Sequence, residues 1–316
     1  MSRSTSRPRP RVRIAAALAV GALLLASCSQ GSNTASGGDG EQVKLGMSIS
    51  TLNNPFFVSL QKGAQDAAAA AGAELIVTDA RDDATQQANQ VQNFQTQQVQ
   101  AVLINPVDSD AAGPIVSPLI AANIPVVAVD RAVNGAEVNA FVASDNVAGG
   151  KLAAEALAEA IGESGQVIVL QGVAGTTASR ERGQGFEEGI AQFPDIEVVA
   201  KQPADFDRTK GLDVATNLLQ AHPQAVGIFA ENDEMALGAI QALGARAGGD
   251  VKVVGFDGTD DGVAAIKAGT MYASIAQQPE ELGKQAVEAA VKLARGEAVE
   301  QAISVPVVVL DKDSAP

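Results

Sequence analysis

Short polar clusters recur along the chain, each trailing an apolar run, and their residue types suit one kind of chemistry. Asn53-Asn54-Pro55-Phe56-Phe57 sets two amides beside two phenyl rings. Asp130-Arg131 joins a carboxylate, which accepts from hydroxyls, to a guanidinium fork, which donates to hydroxyl or ring oxygens. Ser144-Asp145-Asn146, Asn232, Phe256-Asp257 and Gln277 repeat the same vocabulary of acids, amides and rings. Arg180 and Arg182 lie close together in the stretch TTASRERG, and Arg180 is the one placed at a helix start. Phe206 stands in a polar connector, Asp205-Phe206-Asp207, in a chain with only nine Phe, one Tyr and no Trp. A polyol wants this set. Its hydroxyls donate and accept, so amides serve both needs while Asp and Arg fix polarity, and its C–H faces lie well on aromatic rings.

Each cluster also has a plainer reading. Phe56 and Phe57 could pack a helix into the core, and Asp130-Arg131 could be an exposed ion pair. Asp145, Asn146, Asn232 and Asp233 could be helix caps. Both arginines near residue 180 could be solvated. Catalysis finds less support. The lone histidine, His222, reads as a helix-end loop residue, and no His-containing metal cluster, paired nucleophile and base, or GxxxxGK[ST] loop is present. Asp130 and Asp257 could imitate a glycosidase pair, a weak rival to binding. The expectation is a binding protein, without catalytic residues, cofactor or metal.

The elements that must hold these clusters alternate along the chain. Apolar runs at 43–50, 74–79, 101–105, 125–130 and 140–144 predict one series of strands. Runs at 166–171, 197–202, 225–230, 251–256, 272–276 and 305–310 predict a second. Most are continuous Val/Ile/Leu runs, as in parallel strands covered on both faces. Helical segments fall between them, at 55–71, 84–97, 147–161, 176–192, 233–243 and 279–295. Repeated βα units of this spacing imply an α/β fold with doubly wound parallel sheets. The 316-residue length favours two lobes, and the two series break near 144–146. Ligands in such sheets bind outside the carboxyl ends of the strands, where the polar clusters fall.

The N-terminal region reads as an export signal. Five arginines end at Arg13, an apolar run over 14–26 is too short for an ordinary membrane span, and Leu25-Ala26-Ser27-Cys28 resembles a lipobox. Residues 1–27 form the expected signal peptide, Cys28 the lipidated first mature residue, and 28–42 a Gly/Ser-rich tether. As the sole cysteine, Cys28 leaves no intramolecular disulfide. Loss of the leader lowers the basic count from 22 to 17 against 37 acidic residues. So acidic a chain is repelled by nucleic-acid phosphates and anionic head groups, which leaves the lipid anchor as its expected contact with a membrane. A sugar-responsive repressor would need a helix-turn-helix where this leader and tether stand.

Long motifs then carry a resemblance. STLNNPFFVSL (50–60), LINPVDSDA (103–111), VASDNVAGGK (142–151), RERGQGF (180–186), QPADFDR (202–208), ENDEMALGA (231–239) and VVGFDGTDDG (253–262) occur in order. From about 43 to 309 the chain resembles the bacterial periplasmic binding proteins of the ribose/galactose type. The resemblance implies the type I architecture, two lobes joined by a three-strand hinge, with lobes at 43–144 plus 278–303 and 145–277 plus 304–316. It implies D-ribose as ligand, with allose, another monosaccharide or a polyol as alternatives. The implied contacts are Asn54, Phe56, Phe57, Asp130, Arg131, Asn146, Arg180, Phe206, Asn232, Phe256, Asp257 and Gln277. It further implies a monomer that closes on its ligand and docks on the membrane permease of an ABC transporter, or presents sugar to a chemoreceptor. Glu231 departs from the family pattern, as do the C-terminal tail and the leader.

Overall fold

A computed structural model of the chain describes residues 42–316; the signal peptide, Cys28 and nearly all of the tether lie outside the described residues. The chain runs β1 (Lys44–Ile49), α1 (Pro55–Ala70), β2 (Glu74–Asp79), α2 (Ala84–Thr96), β3 (Ala101–Ile104), α3 (Ala112–Ala121), β4 (Val126–Val129) and β5 (Ala140–Ser144). It continues through α4 (Asn146–Ile161), β6 (Gly165–Gln171), α5 (Thr177–Ile190), β7 (Ile196–Pro203), α6 (Arg208–Ala221), β8 (Ala225–Ala230) and α7 (Asp233–Leu243). β9 (Lys252–Asp257), α8 (Asp260–Ala268), β10 (Ala273–Ala276), α9 (Pro279–Ala294), β11 (Ala302–Val305) and β12 (Val308–Leu310) complete it.

Two six-stranded sheets result, ordered β11-β5-β4-β3-β1-β2 and β12-β10-β9-β8-β6-β7. Among the described residues every strand pairing is parallel except that of β10 with β12. All four residues of β3 and of β4 are buried, the mark of strands covered by helices on both faces. Helices begin where the sequence supplies caps. Asn54 Oδ1 accepts the Phe56 N–H ahead of α1, with Pro55 at the first position, where its missing N–H costs nothing.

Three connections pass between the sheets: β5 to α4, β10 to α9, and β11 to β12. The last corrects two expectations. The run 305–310 is not one strand; Val305 pairs with Ser144 in the first sheet, while Val308 pairs with Ala276 in the second. Pro306 cannot donate to a ladder, so the strand stops there and the chain crosses. The boundary at 303/304 therefore falls inside β11, two residues before the crossing.

Helices α4 and α5 pack at unusually close range. A Cβ on Gly185 would sit 2.1 Å from the Val147 carbonyl oxygen, and one on Gly150 would sit 2.2 Å from that of Arg182. Only glycine permits the approach. It brings Arg182 on α5 against the first turn of α4.

Candidate functional site

The carboxyl ends of both sheets face a common cleft, and the polar clusters converge there. Asn54 follows β1, and Asp130 and Arg131 follow β4. From the second lobe come Ala178 and Arg182 on α5, Phe206 after β7, Asn232 after β8, Asp257 ending β9 and Gln277 after β10. With Phe56 and Phe57 of α1 they line a small cavity.

Three of the lining residues are also strained. Asp130 (φ 65°), Phe206 (φ 59°) and Asp257 (φ 120°) hold positive φ, a conformation that costs a non-glycine residue on the order of 1–3 kcal/mol. In Phe206 this turns the ring over Gly172, where a Cβ would lie 2.0 Å from the ring tip. Phe56 and Phe57 meet edge to face, ring centres 5.1 Å apart.

The charged groups alternate across the cleft and are almost wholly buried. Arg131 Nη1 donates to the Pro106 carbonyl at 2.9 Å, and its Nε lies 3.7 Å from Asp130 Oδ2. The Arg131 guanidinium stands 5.2 Å from the Phe57 ring centre and 5.5 Å from that of Phe206, within cation–π range. Arg182 Nε donates to Asn146 Oδ1 at 2.9 Å and Nη1 donates to the Glu231 carbonyl at 2.7 Å. Its plane lies 3.8 Å over the Phe256 ring, and Asp257 Oδ1 is 3.7 Å from Nη1. Gln277 Nε2 donates to that same Oδ1 at 2.7 Å. Burial pushes the carboxyls of Asp130 and Asp257 above the usual carboxylate range, against the pull of the neighbouring guanidiniums.

Among these buried groups, Arg131 Nε and Gln277 Oε1 have no hydrogen-bond partner. An unpaired buried donor or acceptor costs about 1–3 kcal/mol.

Three residues expected to touch a ligand do something else. Arg180 points out of the cavity: its side chain is 42 % exposed and pairs with Asp110 at 2.9 Å. Arg182, set aside at the sequence level as the less well placed arginine, is the buried one. The substitution follows from helix phase, because residues two apart on a helix diverge by about 200°. Asn146 orients Arg182 and does not line the cavity, and Phe256 lies beneath the guanidinium as its platform. The TTASRERG stretch held the right helix but no signal for which arginine faces inward. Ala178, also missed, carries no polar group and leaves no mark in sequence.

The lobes are closed on one another. Ala132 N–H donates to Thr177 Oγ1 at 2.9 Å and Ser109 N–H to the Gly175 carbonyl at 3.0 Å. Asp110, steadied by Asn134 at 2.6 Å, takes the Arg180 fork across the rim.

Comparison with known proteins agrees with this architecture. Residues 45–298 match the model for a periplasmic binding protein domain. The chain is 46% identical over 288 residues to the ribose import binding protein of Bacillus subtilis (strain 168), covering 90% of this chain and 93% of that one. It is 50% identical over 252 residues to the ribose import binding protein of Escherichia coli (strain K12), covering 80% and 85% respectively. A solved solute-binding protein from Actinobacillus succinogenes 130z with bound D-allose superposes with a TM-score of 0.81 at 34% identity, over 87% of this chain and 99% of that one.

Proposed function

Because the chain belongs to the periplasmic binding protein family, we propose that it is the solute-capturing component of an ABC importer and that its ligand is D-ribose. The observation that carries this reading is the small cavity between the lobes, beside which the buried Arg131 Nε and Gln277 Oε1 are unpaired. Water could solvate these groups only while the lobes stand apart. Ligand hydroxyls replace that water on closure, so a ligand that contacts both lobes favours the closed state by its differential contact. The connections at 144–146, 276–279 and 306–307 serve as the hinge.

Each lining residue has a stated part. Phe206 from one lobe and Phe56 and Phe57 from the other cover the sugar's apolar faces. Asn54 has its Oδ1 committed to capping α1, so it offers its amide hydrogens. Asp130 and Asp257 accept hydroxyl protons, and Arg131 and Arg182 donate. A site that pairs each hydroxyl rejects analogues lacking one, because its own groups are then stranded. We assign the acylated Cys28 the task of anchoring the exported protein at the outer face of the cell membrane. A permease then receives the closed form. D-allose is the alternative ligand, since a solved relative at 34% identity holds that sugar.

The test is a thermal-shift panel on protein unfolded and refolded to remove carried-over ligand. At a hundredfold excess over its dissociation constant, a true ligand adds about 2.7 kcal/mol of stability. D-ribose is expected to give the largest shift, ahead of allose, glucose and xylitol. A null response to ribose, or an equal one to glucose, refutes the ligand assignment.

A further inference from the structure

Glu231 is fully buried yet does not line the cavity. Its Oε2 accepts the Gly172 N–H at 2.7 Å and also the Ser179 hydroxyl. Gly172 ends the β6 side of the cleft, and Ser179 lies one turn before Arg182 on α5. The carboxyl thus ties the first turn of that helix to the residue that follows β6. The same residue's main-chain carbonyl receives Arg182 Nη1 at 2.7 Å. Gly183 of α5 lies near the carboxyl, where a Cβ would sit 3.2 Å from Oε1, and Oε1 itself has no donor. One residue therefore fixes both the helix that carries the guanidinium and the fork of the guanidinium itself.

We propose that Glu231 is a positioning residue for Arg182, acting through the acceptor at Oε2 rather than by touching ligand. The inference rests on the sugar-binding reading above and extends it to a group outside the cavity. Either protonation state supplies that acceptor. Burial pushes the carboxyl up to about 7, so near neutrality the uncharged form is well populated. The charged groups facing it are Arg182 and Glu187, both from α5. Strands β6 and β8 bring none. The neighbouring carboxylates of α7 are engaged elsewhere, Asp233 with Thr259 and Ser274, and Glu234 with Arg208. Glutamine keeps an acceptor in place and should stand in for the acid; alanine removes it.

The experiment is calorimetric titration at pH 7 of the wild type, Glu231→Ala, Glu231→Gln and Ser179→Ala. The ligand is whichever of ribose, allose and xylitol the unchanged protein binds. Glu231→Ala should weaken binding at least tenfold, Ser179→Ala severalfold, and Glu231→Gln no more than about threefold. The same Glu231→Ala change is then made beside Arg182→Lys, which keeps a charge but cannot form the fork. There it should cost less than about twofold, because the guanidinium it would have positioned is gone. An equal loss in both backgrounds, or a Glu231→Gln protein as weak as Glu231→Ala, overturns the proposal. Should Glu231→Ala fail to fold, wild-type affinity in Ser179→Ala does so as well. Failure of the ligand reading looks different: the unchanged protein then ignores ribose whatever stands at 231.

Discussion

Replacing each of the two neighbouring arginines by alanine separates the cavity from its rim. Arg182 is buried, and its removal strands the Asn146 Oδ1 and the Glu231 carbonyl and takes the guanidinium away from the buried Asp257 carboxyl. Removing a buried charged group and leaving its partners unpaired costs about 2–5 kcal/mol of binding. At about 1.4 kcal/mol per tenfold, that is roughly thirtyfold to several thousandfold in affinity. Arg180 makes an exposed ion pair with Asp110 across the closed rim. Exposed pairs of this kind contribute little, so its loss should weaken binding by no more than about fivefold. The chain has one Tyr and no Trp, so titration calorimetry is a better assay than intrinsic fluorescence. Raising the salt should erode the Arg180 contribution and leave that of Arg182 largely intact. Equal losses, or a larger one at Arg180, would show that the inward and outward faces of α5 have been exchanged.

Three further outcomes are expected. Gly185→Ala forces a methyl to 2.1 Å from the Val147 carbonyl; it should cost about 1–3 kcal/mol of stability by overpacking and weaken sugar binding by shifting Arg182, read by melting and titration together. Burial raises Asp233 from 3.8 to about 6 and Glu231 from 4.5 to about 7. A raised acid contributes stability that is full below its unfolded value and lost as pH rises through its folded one. The melting temperature of the unliganded protein should therefore fall between about pH 4 and 7, and fall less steeply in Glu231→Gln; parallel slopes would contradict this. Cys28→Ala should move the full-length protein from the membrane fraction to the soluble one without changing sugar affinity; unchanged fractionation would argue against the anchor.

Much of this protein follows from local sequence. Continuous apolar runs such as Val126–Val129 announce buried parallel strands, and caps such as Asn54 mark where helices begin. The rule that ligands sit beyond strand ends then located Asn54, Asp130, Arg131, Asn232, Asp257 and Gln277, because position along a strand is a one-dimensional property. Rotation about a helix, and the layer a residue occupies beneath a surface, are not. Arg180 and Arg182 are nearly alike in sequence context. Only the glycine-mediated packing of α4 on α5 decides which one turns inward. Asn146 and Phe256 likewise became supports for Arg182 once that guanidinium stood between them and the cavity. The strand expected over 305–310 read as one apolar run, yet its halves belong to different sheets, since each finds its hydrogen-bond partners on a separate lobe. Contacts between segments far apart in the chain settle such questions, and no window of neighbouring residues contains them.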